Sequence, residues 1–192
     1  MDTRAFFSAA ADGFGRRLAT VGPDQWRAST PCAEWDVRAL VQHVVNECRW
    51  IRPLIEGRTI AEVGDRLDGD LLGADPDGAW RDAYAEALAS IAPPEALSGA
   101  VHLSFGDRTG DQYISQVACD VAIHTWDLAR GTGGDDHLDP EVVAAAQAEV
   151  DGWGPDIDAW RAAGVFGPAV ESPAGADAQT RLLGMVGRRA HG

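Results

Sequence analysis

The stretch VACDVAIHTWDLARG, residues 117–131, is almost wholly apolar or small in its first ten positions, yet it carries Asp120, His124 and Asp127. On a helix, positions i and i+4 share a face with Cβ atoms about 5–6 Å apart. The Asp120 carboxylate and the His124 imidazole can therefore converge on one ion at bonds of about 2 Å. Zinc helices of the HExxH type use the same spacing with two histidines. A hard oxygen beside a borderline nitrogen suits zinc, nickel, manganese or iron rather than a thiophilic metal. Two ligands do not hold an ion tightly, so a third must come from elsewhere. His43, in VRALVQHVV, is the other histidine inside a strongly periodic helix. Glu47 follows it on the same face, placed to accept a hydrogen bond or to act as a base. His102, His137 and His191 fall in extended, charged or terminal segments, where solvation is the expectation.

Spacing alone leaves other arrangements open. Asp120, His124 and Asp127 could form a solvated helix face, although Val117, Val121, Ile123 and Trp126 leave little width for one. Asp120 and His124 could also satisfy each other as a buried hydrogen-bonded pair, which offsets the cost of hiding a carboxylate without any metal. His43 could be an ordinary core histidine.

Helices must position these groups. Phe6, Phe7, Ala10, Phe14 and Leu18 form a stripe that predicts a first amphipathic helix over about residues 3–21. Asp36 is placed to N-cap a second helix, whose buried face is Val37, Leu40, Val41, Val44, Val45 and Cys48 and which Pro53 should end or kink. Residues 56–76 are rich in Gly and Asp and read as surface chain. A third helix spans about Asp77 to Ile91, and Val101 and Leu103 alternate with polar neighbours as in a short strand. A fourth helix covers about Asp111 to Arg130, with Gly131 and Gly133-Gly134 as its stop. A fifth runs from about Asp139 to Ala163, interrupted near Gly152 and Gly154-Pro155. GVFGPAVESP reads as extended, and ADAQTRLLGMVGR as a short closing helix. This predicts a mainly all-α fold: one domain over residues 1–192, a four-helix bundle with a long crossover connection, short strands and a C-terminal helical extension. Bundles of this kind build ligand and metal sites from side chains on facing helices.

Charge narrows the partners. A formal net charge of −14 argues against nucleic acid or an anionic membrane, both of which need clustered basic residues. No apolar run approaches a membrane span, and the first residues, MDTRAFFSAAADGFGRR, lack a signal-peptide pattern. The cytoplasm is the expected compartment. All 16 basic residues are arginine. Cys32, Cys48 and Cys119 have no zinc-type spacing, and each is expected to be a small buried residue.

TPCAEWDVRALVQHVV, DVAIHTWDLARGTG and FGPAV…DAQTRLLGMVGRR together resemble the metal-binding domain of mycothiol-dependent maleylpyruvate isomerase, within the DinB-like helical bundles. The resemblance runs from the second helix to the C-terminus. It implies a DinB-like bundle that holds a divalent metal with three protein ligands and an open position: His43, Asp120 and His124. Aspartate at 120 stands where the isomerase has glutamate, one methylene longer. This sequence shows no counterpart of the isomerase's second domain, so the implied chemistry is broader than that one isomerisation. Trp126 and Asp127 belong to the family's HxWDLA pattern. Trp126 is expected to pack between helices, and Asp127 to hold an arginine or a backbone amide near the helix end.

The expected function is thus a divalent-metal protein, with zinc the first expectation and nickel, manganese or iron next. It would act as a thiol-dependent isomerase or S-transferase on a small electrophile, with mycothiol as cosubstrate. A bound dication lowers the pKa of water or a thiol, while Glu47 and Asp127 are the candidates to orient a ligand or shuttle a proton. The alternative is a non-catalytic bundle that binds a metal or small molecule, or a purely structural one. Seven tryptophans are many for one core. Trp153 and Trp160 are the candidates for a homodimer interface, or else they cap the core under the long loops.

Overall fold

The computed structural model describes residues 1–154, 156–162 and 166–190. Helix α1 (Thr3–Leu18) starts where the Asp2 carboxylate accepts from the Ala5 amide at 2.8 Å, a cap that satisfies one of the orphan donors of the first turn. Helix α2 (Val37–Ile55) is capped in the same way by Asp36, which accepts from Ala39 at 2.8 Å. Pro53 does not end α2. It lies in the last turn, where a missing N–H costs a single backbone bond, and the helix runs two residues further. Within the expected surface segment lies one short helix, α3 (Ile60–Val63), nucleated by reciprocal hydrogen bonds between Thr59 and Glu62.

Helix α4 (Pro76–Ile91) leads into an antiparallel hairpin of β1 (Ala100–Leu103) and β2 (Gly106–Thr109), with Val101 opposite Arg108. The first strand follows the expected alternation. The second, Gly-Asp-Arg-Thr, is polar and carries no apolar period. Helix α5 (Gly110–Thr132) ends on Gly133, whose φ of +68° is the left-handed cap that glycine takes at least cost. Gly131 is not a stop but lies inside α5. A Cβ there would meet the Thr30 methyl at 3.1 Å and the Ser29 carbonyl at 3.3 Å. The absent side chain lets α5 close onto the loop ahead of α2.

The expected fifth helix is broken into α6 (Pro140–Gly152) and α7 (Asp156–Ala162), with the break where Gly152 and Gly154 place it. Its expected end at Ala163, Pro155, the start of the extended segment at Gly164 and His191 lie outside the described residues. Helix α8 (Ala178–Met185) closes the described chain.

Helix α1 packs on α4 and α5, and α2 packs on the same two. The four form a bundle in which α1→α2 and α4→α5 connect diagonal rather than adjacent helices. The long segments between them are those crossovers. Helix α6 covers the outside of α5 and carries α8. Helix α5 is therefore wrapped on several sides, and residues Val121 to Ala129 are all buried. Trp126 is among the largest fully buried side chains, between helices as its pattern suggests. No helix among the described residues is long and apolar enough to cross a membrane.

Candidate functional site

Two helical strips face each other across one end of the bundle. From α2 come His43, Glu47, Trp50 and Leu54, spaced by turns of the helix. From α5 come Tyr113, Val117, Asp120 and His124. The structure brings His43, Asp120 and His124 together. His43 Nε2 lies 3.1 Å from Asp120 Oδ2, and His124 Nε2 lies 3.4 Å from Asp120 Oδ1. The imidazole rings stand edge to face, with centroids 4.9 Å apart. One ligand atom from each of the three lies within 4.8 Å of the others.

These distances allow a test of fit. Bonds of about 2.0–2.1 Å in a tetrahedral site put neighbouring donors about 3.3 Å apart, close to the two separations observed. Side chains of His43 and Asp120 are 28% and 29% exposed, that of His124 is 7%, and that of Asp127 is 0%. The donor set thus opens on the side of His43 and Asp120 and is closed behind His124.

Behind the ring lies a second group. His124 Nδ1 donates to Asp127 Oδ2 at 3.0 Å. Asp127 in turn accepts from the Cys32 thiol at 3.1 Å and from Arg188, whose Nη2 is 2.9 Å and Nε 3.3 Å away. Arg188 Nη2 also reaches Cys32 Sγ at 3.3 Å. Cys32, His124 and Asp127 likewise bring potential ligand atoms within 4.8 Å of one another. The guanidinium already sits on that cluster, and a cation in place repels a second one. Among the described residues Asp120 pairs with the two histidines and with no arginine, and its side opens into a cavity. Asp127 therefore occupies the position of a carboxylate that fixes a histidine's tautomer, leaving Nε2 to point at Asp120.

Electrostatics follow the geometry. Burial works against charge on His124, but the Asp120 carboxylate and the hydrogen bonds to Asp120 and Asp127 outweigh it and hold the imidazole well above its ordinary pKa. Burial likewise opposes the charge on Asp120, and the two histidines overcome it and hold the carboxyl well below the usual range. Glu47 moves the other way. Burial and then the Asp120 charge push its carboxyl up. Two carboxyl groups on one cavity wall are thus driven apart in proton affinity, the arrangement that separates a proton holder from a permanent anion.

Trp35, one residue before the α2 cap, covers both imidazoles with its ring, at centroid distances of 4.8 Å from His43 and 5.7 Å from His124. It is held there by a turn in which Glu34 takes a φ of +69°, the sole positive-φ residue other than glycine among those described. Cys32 comes from the same turn. It is half-buried, whereas Cys48 and Cys119 are buried as expected.

Beside the donors lies a cavity of about 480 Å³ whose lining includes His43, Glu47 and Asp120, with His124 behind them. Trp153 and Trp160 pack on each other, at a centroid distance of 4.9 Å, and on Phe166, and these rings form part of its wall. His102 bonds Asp107 on the hairpin, and His137 is exposed beside Asp135, both away from the site as expected.

The family model for the mycothiol maleylpyruvate isomerase N-terminal domain matches residues 7–129. That span holds His43, Glu47, Asp120, His124, Asp127, Cys32 and Trp35 but not Arg188 or the cavity rings of α6–α7. The chain is 36% identical over 161 residues, 78% of its length and 80% of theirs, to two uncharacterised proteins of Mycobacterium tuberculosis: MT0763 of strain CDC 1551 / Oshkosh and Rv0738 of strain ATCC 25618 / H37Rv. No solved structure matches the chain.

Proposed function

The chain belongs to the mycothiol maleylpyruvate isomerase N-terminal domain family, and from that premise we propose that His43, Asp120 and His124 bind a divalent cation, zinc by first expectation, for thiol-dependent isomerase or S-transferase chemistry on a small electrophile. The observation that carries this reading is the convergence of three metal-type donors from two helices, at 3.1 and 3.4 Å, two of which, His43 and Asp120, line a cavity. Nickel, manganese and iron accept the same nitrogen and oxygen donors. A dication held there would supply Lewis acidity and lower the proton affinity of a thiol or water brought to it.

The remaining work falls to the chain's own side chains. Asp127 fixes the His124 ring through Nδ1, and Arg188 and Cys32 hold Asp127 in place. Trp35 covers the two imidazoles against solvent. Glu47 lines the cavity one turn from His43 and can hold a proton at its carboxyl until a substrate atom within reach takes it. The aromatic wall keeps water from a nucleophilic thiol, and the family relation makes mycothiol the natural thiol. Cytoplasmic residence is part of the same proposal, since mycothiol is a low-molecular-weight cellular thiol.

The hydrogen bonds from both histidines to Asp120 would equally serve a non-catalytic bundle that binds a metal or small molecule. Activity separates the two. Zinc-loaded protein should catalyse thiol-dependent consumption of maleylpyruvate or of an uncharged probe such as chlorodinitrobenzene, and His43→Ala should fall to the thiol-only background. Zinc-loaded wild type that gives only background with both substrates would leave the binding reading in place and remove the catalytic one.

A further inference from the structure

The cavity beside the donors has a chemical character of its own. We infer that it takes an uncharged, largely apolar molecule and that it discriminates against carboxylates. This inference rests on the proposed function only in treating that molecule as the electrophile.

Its volume of about 480 Å³ is that of a small-molecule site. Trp50, Trp153, Trp160 and Phe166 give it an aromatic wall. The chain contains no lysine, and none of its arginines lines the cavity. Arg49 is held away by Glu86 at 2.7 Å, and Arg161 by Asp158 and the Met185 carbonyl, both at 2.7 Å. Arg108 lies outside, its guanidinium 5.5 Å from the centroid of the Phe105 ring at the cavity's edge. Among the described residues, the ionisable groups that line it are His43, Glu47, Asp120 and the Tyr113 phenol. A carboxylate entering this space meets two carboxyl groups and no guanidinium, whereas sites that bind carboxylates use arginine forks.

Unsaturated ketones, quinones and nitroarenes combine an apolar body with an electrophilic carbon. A dicarboxylate such as maleylpyruvate does not fit this description.

Three tryptophans in the wall make their own fluorescence the readout. Quenching by nitrobenzyl alcohol and by nitrobenzoate, which differ in the carboxylate, should be titrated on the full chain with and without zinc. The expected result is saturable quenching by the alcohol with a Kd at least about tenfold below that of nitrobenzoate. Leu103→Arg, at a half-buried position on the hairpin, should reverse the preference, and thermal melts confirm that the variant folds. Equal or tighter binding of nitrobenzoate by wild type, or no saturable quenching by either ligand, overturns the inference. Zinc binding is read separately in the same samples. Loss of zinc binding with the selectivity intact removes the metal reading alone, and zinc binding with carboxylate preference removes this inference alone.

Discussion

Replacing Arg188 by methionine tests whether the C-terminal segment is part of the site. Asp127 has no exposed surface, and Arg188 holds it with two hydrogen bonds, at 2.9 and 3.3 Å. Removing one partner of a buried ion pair costs about 3–5 kcal/mol, because the other charge is left without compensation. His124 and the Cys32 thiol still donate to Asp127, which places the expected loss at the lower end, about 3 kcal/mol. At about 2–4 °C per kcal/mol for a chain of this size, Tm should fall by about 6–12 °C. The assay is urea unfolding followed by circular dichroism, with chelator present so that no metal contributes. Adding Asp127→Asn removes the unpaired charge, so the double variant should lose less than the sum of the singles, with a coupling energy of about 1–3 kcal/mol. A single variant within about 1 kcal/mol of wild type, together with an additive cycle, would refute the claim that this pair anchors the site.

Three other outcomes follow from the structure. Asp127→Asn leaves the three proposed ligands in place but loosens the His124 ring, so zinc affinity by competition with a chelator should drop about 10–100-fold. The Tyr84 phenol is pushed up to about 12 by burial and by its hydrogen bond to Asp12. The folded form therefore keeps this proton longer than the unfolded form, and the associated stability is intact below about pH 10 and is lost as the pH climbs toward 12. Tyr84→Phe should show a shallower fall in unfolding free energy over that interval, and an unchanged slope would contradict it. Gly110→Ala drives a methyl to 2.6 Å from the Ala96 carbonyl and 2.9 Å from the Leu97 Cα. It should cost about 1–3 kcal/mol by overpacking against backbone, read as a lower Tm.

The bundle helices are legible in the sequence because local pattern alone sets them. Apolar spacing and Asp36 place α2, and the apolar run with Gly133 places α5. The pairing of Asp120 with His124 is a matter of one helical turn, so it too is visible, and His43 joins them because its helix is unmistakably periodic. Pro53 misleads because its cost depends on how near the helix end it falls. The second strand of the hairpin carries no signal because it is polar and exposed. An arginine on Asp127 is expected, but that it is Arg188 and that Cys32 joins it is not legible in sequence, since they meet Asp127 from 61 and 95 residues away. Cys32 has the pattern of a small core residue, and only the turn at Glu34 directs it and Trp35 toward the imidazoles. The cavity is equally illegible, because Trp50, Trp153 and Trp160 line it from two separate parts of the chain.

Elemental analysis of the purified protein after zinc loading and desalting, beside His43→Ala and His124→Ala, bears most directly on the proposed centre. The predicted result is close to one zinc per chain in wild type, and loss of that metal in both variants while their circular dichroism stays helical. Wild-type protein that is fully folded yet retains no zinc, nickel, manganese or iron after titration would contradict the proposed centre, and would make the three side chains a hydrogen-bonded core cluster.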